Sequence, residues 1–112
     1  MEYHQNRLRD ELIALNCLSD AELLERLIPE EERHSPQANI ERAKSILYQC
    51  VSRARKKLAD AYNSHKHTAD FSMDFALYLI PILTADSAIP VQIIPALVIL
   101  IMRHAAELLS KP

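Results

Sequence analysis

Apolar positions along this chain recur at helical spacing in its first two thirds and then fuse into a nearly continuous run. In "NRLRDELIALN", Leu8, Leu12 and Leu15 step by three or four residues, which predicts a first helix with one apolar stripe. "LSDAELLERLIP" predicts a second. Ser19 can accept from the orphan backbone donors while Glu22 reaches back, and Leu18 and Leu23 hold the two staple positions around that cap. Pro29 cannot continue this helix and disfavours helical geometry at Ile28, so the element is short.

The third predicted helix is the longest. Ser35 is a natural N-cap and Pro36 suits the first helical position. Ile40, Ala43, Leu47, Cys50, Ala54, Leu58 and Ala61 then share a face, broadened by Ile46, Val51 and Tyr62. At ~1.5 Å per residue this is a rod of roughly 40 Å, the expected spine of the fold, bent or frayed toward "NSHKHTAD". A fourth helix starts at Asp70 or Ser72 and kinks near Pro81. A final helix starts at Pro95 and runs through "ALVILIMRHAAELLSK", with the path of residues 88–94 open. The expected fold is all-α. It is a compact bundle of about five helices with a long central third helix and a very apolar C-terminal helical hairpin.

Residues 88–102 are interrupted by one polar side chain, Gln92. As a helix they reach about 22 Å, short of the ~30 Å hydrocarbon thickness, and no basic cluster flanks them. A membrane span is therefore disfavoured. A helix apolar on all sides must still be enclosed on all sides. Either the rest of the bundle wraps it, or one side meets a second copy or another protein. The second arrangement is preferred, because enclosing a helix completely is demanding for so small a bundle. It makes Leu97, Ile99, Leu100 and Ile101 the expected partner-binding residues.

Composition narrows the picture further. With 112 residues, 49% of them hydrophobic and 25% charged, the chain has the size and make-up of one globular domain. It divides into an acidic helix pair over residues 1–35, a basic helix over 36–67 and an apolar hairpin over 70–112. The absence of Gly disfavours tight hairpins and excludes Gly-rich phosphate cradles in their usual form. Cys17 and Cys50 fit neither a disulfide scaffold nor a zinc site, and both read as buried packing residues. The opening "MEYHQNRLRDEL" is polar where a signal peptide needs an apolar core, so a reducing cytoplasm is expected. The ending "IPALVILIMRHAAELL" resembles the tails of small helical accessory domains of bacteria, and that resemblance implies no function.

Charge is unevenly spread. Residues 1–35 hold nine acids and four bases, whereas residues 36–69 hold two acids and seven bases. Arg42, Arg53 and Lys56 point away from the apolar stripe and are the candidate contacts to phosphates or to an acidic partner. Lys44, Arg55 and Lys57 flank the stripe instead. The competing reading has bases meet the acidic run at Glu30, Glu31 and Glu32, or Glu22 and Glu25.

No constellation points to catalysis. His65 and His67 with Asp70 could hold a metal only if locally extended, and His104 reads as a satisfied structural histidine. No metal and no cofactor are expected. The sequence reads as a small interaction module, an adaptor or assembly subunit, that associates with a protein partner or with itself. The alternative is a nucleic-acid-associated subunit that contacts phosphates through the third helix.

Overall fold

The computed structural model describes residues 2–65 and 73–109, and the side chains of residues 7–64 and 73–109. Within them the chain is helical, with no strand. Helix α1 spans Glu2–Asn16, α2 Asp20–Glu25, α3 Pro36–Arg53, α4 Arg55–His65, α5 Met73–Thr84, α6 Ile94–Arg103 and α7 Ala105–Leu109. Single 3₁₀ turns, Glu30–Glu32 and Val91–Ile93, precede α3 and α6.

Local chemistry sets the early boundaries. Ser19 Oγ accepts from the Glu22 N–H at 3.2 Å, and Glu22 Oε1 accepts from the Ser19 N–H at 3.1 Å, a closed reciprocal cap. After α2 the Leu27 and Ile28 amides bond back only three residues, tightening the chain into Pro29. Ser35 caps α3 through the Ala38 N–H at 3.4 Å, with Pro36 in the first turn. Asn39, 5% exposed, fixes the entry to α3. Its Oδ1 accepts from the His34 N–H at 2.7 Å while its Nδ2 donates to the His34 carbonyl at 3.2 Å. One buried amide thereby satisfies both polar groups of the preceding backbone.

The expected third rod is divided. At Ala54 the backbone leaves helical geometry (φ −113°, ψ 17°), while its N–H still bonds to Cys50 and its carbonyl to Leu58. The final helix breaks the same way at His104 (φ −117°, ψ 21°), bonded to Leu100 and Leu108. Neither break contains proline or glycine. Side chains at each break reach distant parts of the chain. Arg53 reaches Asp86 beside the first break, and Arg55 donates to the Leu108 carbonyl at 3.2 Å. The two bends let α4 pack along both α5 and α7. Helix α5, by contrast, passes through Pro81 uninterrupted with that residue exposed.

The central element is α6, not the third helix. It packs against α5, α1 and α2, and every residue from Ile94 to Ile101 is buried. Each fully buried aliphatic side chain contributes about 1.5–3 kcal/mol relative to exposure. At ten residues α6 is only ~15 Å long, so a few neighbours suffice to cover it. No described helix is long and apolar enough to cross a membrane. The open segment before α6 is a compact turn. Asp86 accepts from the Ala88 and Ile89 amides, and the Ile93 N–H bonds to the Pro90 carbonyl at 3.2 Å.

Candidate interaction surface

Leu97, Ile99, Leu100 and Ile101 are exposed by 0%, 0%, 1% and 0%. They are core residues of the folded chain and offer a partner no surface, which corrects the expectation that placed a contact there. The physical reason is that α1, α2 and α5 together close around so short a helix.

The same apolar run does reach solvent elsewhere. Residues 75–102 contain a single charged side chain, Asp86. That charge is used internally: Arg53 donates to Asp86 Oδ2 from Nε at 2.6 Å and to Oδ1 from Nη2 at 3.0 Å. The Arg53 guanidinium, helped by the Ala88 N–H, holds the Asp86 carboxyl below the usual carboxylate range. What the run shows to water is therefore uncharged: Tyr78, Pro81, Thr84, Ala85, Ser87, Ala88, Pro90, Val91 and Gln92, with Tyr78 54% and Val91 71% exposed. Tyr78, Pro81 and Ile82 of α5, with Ala85 just beyond its end, fall within an arc of roughly 100° by the ordinary helical pitch. The outward residues of α1 to α4 are densely charged by comparison, among them Arg9, Asp10, Glu22, Glu25, Glu41 and Lys44.

The basic candidates do not form one site. Arg42 pairs with Glu32 of the first 3₁₀ turn, and Arg53 pairs with Asp86. These two arginines stand about 16 Å apart along α3. Lys56 is exposed in the first turn of α4, and with Lys57 it borders a shallow cavity of about 460 Å³ whose opposite wall is Ile82, Ala85, Asp86 and Ser87.

A second feature lies at the His104 break. Asp20, in the first turn of α2, receives Arg103 Nη1 at 2.9 Å on one oxygen and meets His104 Nε2 at 2.8 Å on the other. Arg103 Nη2 also donates to the Asn16 carbonyl at 2.7 Å. The α1–α2 corner is thus latched to the α6–α7 bend. Partial burial pushes the Asp20 carboxyl up, but the hydrogen bonds from Arg103 and His104 outweigh it and hold the group below its ordinary value. Beside the latch, Leu24, Lys44, Tyr48, His104 and Glu107 line a cleft of about 340 Å³. The sequence flagged His104 as structural but gave no sign of this partner, because Asp20 lies 84 residues away.

Cys50 is buried, and that burial, with the Asp86 carboxylate, pushes its thiol up and away from nucleophilic use. Cys17 is exposed, against expectation, with Sγ turned back to the Ile13 carbonyl at 3.5 Å. Among the described residues no group of three His, Cys, Asp or Glu could hold a metal ion. The side chain of His65, and His67 and Asp70 entirely, lie outside the described residues. No family model, no curated protein and no solved structure matches this chain.

Proposed function

We propose that the chain is a small helical protein–protein interaction module that engages its partner through the neutral outer face of α5 and the segment 85–92. One observation carries this reading. In a chain that is one quarter charged, residues 75–102 hold one charge, and that charge is spent on Arg53. Solvated faces that carry no function are ordinarily studded with charge, whereas depletion of charge around an aromatic residue is the composition of an interface centre. The reading keeps the C-terminal third as the contact region but moves the contact from α6 to its neighbour. It is the reading of a binding protein with no catalytic step, and the two unpaired thiols suit the cytoplasmic location expected of it. Phosphate contact through the third helix has less support, since two of its three candidate cations already hold carboxylates.

A photo-reactive phenylalanine analogue at position 78, in the cells that make the protein, tests the proposal. The expected result is a discrete protein adduct from position 78 and none from the same probe at Glu41, which is exposed among charges on α3. Absence of an adduct at 78, or equal labelling at both positions, would overturn it.

A further inference from the structure

We infer that the cleft beside the His104 bend binds a small zwitterion, an aliphatic molecule carrying one primary ammonium and one carboxylate. This site is separate from the α5 face and does not depend on the reading just proposed. The cleft opens among α2, α3 and the α6–α7 bend, and its volume of about 340 Å³ falls within the ~300–1,000 Å³ of small-molecule sites. Its floor is aliphatic, since the buried residues Leu24, Leu47, Leu100 and Leu108 all line it. Hydrocarbon laid on that floor is removed from water.

The rim supplies one charge of each sign from different elements. Lys44 comes from α3, with Tyr48 one turn further on, and Glu107 comes from α7. All three are exposed, and among the described residues neither Lys44 nor Glu107 forms an ion pair. The two charges thus line one cleft without meeting each other. The other carboxylate there, Asp20, is already taken, because Arg103 and His104 hold its two oxygens. One ammonium and one carboxylate remain to be matched. A simple anion would meet Lys44 but be opposed by Glu107, and a simple cation would meet the reverse. A zwitterion answers both, and the Tyr48 hydroxyl offers its carboxylate a further donor. The walls are set beforehand. The Asp20 latch ties α2 to the α6–α7 bend, and α2 packs along α3, so binding has little to order.

Four probes titrated into the isotope-labelled full chain, read by amide chemical shifts, test this. L-norleucine and ε-aminocaproate are isomers that hold the ammonium beside the carboxylate or at the far end of the chain. Hexanoate lacks the ammonium, and hexylamine lacks the carboxylate. One isomer is expected to give saturable shifts in residues 44–48 and 104–108, binding roughly tenfold more tightly than hexanoate or hexylamine. Which isomer binds better reports how far apart the cleft holds the two charges. Lys44→Met, folded by circular dichroism, should erase the advantage over hexylamine, because the carboxylate then has no ammonium to meet. Glu107→Gln should erase the advantage over hexanoate. Glu41→Gln, three residues from Lys44 but outside the cleft, should change neither. The inference is overturned if neither isomer saturates, if hexanoate or hexylamine binds as tightly as both isomers, or if the two advantages survive Lys44→Met and Glu107→Gln.

Discussion

Helices α5 and α6 have nearly the same composition and opposite fates. α6 shows no solvent-facing position from Ile94 to Ile101 and is wrapped by three neighbours. α5, one neighbour further out, buries Phe75, Ala76, Leu79 and Leu83 but turns Asp74, Tyr78, Pro81 and Thr84 to water. An apolar sequence run therefore does not reveal which part of it is interior. The distinction lies in residue size and type at the outward positions. α6 has aliphatic side chains at every angle, whereas α5 places an aromatic residue with a polar tip and a proline on one outward stripe. Such a stripe is stable in water alone yet carries nothing that would keep a second surface away.

The largest test of this contrast is truncation. Leu97→Ala, at a fully enclosed site, should cost about 2–5 kcal/mol in urea unfolding, whereas Val91→Ala, at a position 71% exposed, should stay within about 0.5 kcal/mol. Equal costs would erase the distinction between core and face. Next in size is Asn39→Ala. It removes two part-buried hydrogen bonds to the His34 backbone and the packing of a buried side chain, and should cost about 1–2 kcal/mol, a penalty that a solvent-exposed asparagine would not incur. Arg103→Ala should follow at about 1–2 kcal/mol by releasing the corner between α1 and α2 from the bend at His104. Chemical-shift changes on that variant should centre on Asn16 and Asp20 and leave α5 unmoved.

Acid gives the smallest effect. Asp20 and Asp86 both titrate below their ordinary value of 3.8 when folded, so each contributes stability above that value and loses it as pH falls through the lower, folded one. Asp20→Asn with Asp86→Asn should flatten the acid limb of the stability curve below about pH 4 and leave its shape near neutrality unchanged. An unaltered acid limb would mean that neither ion pair is held in solution.

The sequence was most legible where structure is decided locally. The starts of α2 and α3 follow from Ser19, Glu22, Ser35 and Pro36, because each cap closes within three residues. The bends at Ala54 and His104 left no such mark, since the contacts beside them reach Asp86, Leu108 and Asp20 far along the chain. Nothing in the sequence marks Asn39 as buried, because its amide is satisfied by the His34 backbone, which only the folded path of the chain brings to it. The region proposed as a contact was legible only in outline. Charge depletion pointed to the C-terminal third, but periodicity could not choose between α6 and α5, because a run without polar residues has no face to measure. Asp86 offered the clue within it. A lone charge in so long an apolar stretch implies a partner, and its partner Arg53 neutralises the end of the α5 face.

Amide hydrogen exchange followed by mass spectrometry, over a range of protein concentrations, tests the central claim most directly. Peptides from α6 should be protected equally at every concentration, because the chain itself encloses them, and more strongly than peptides from residues 85–92. Fast exchange of α6 in dilute solution, slowing on concentration, would contradict the account and return the contact to Leu97, Ile99, Leu100 and Ile101.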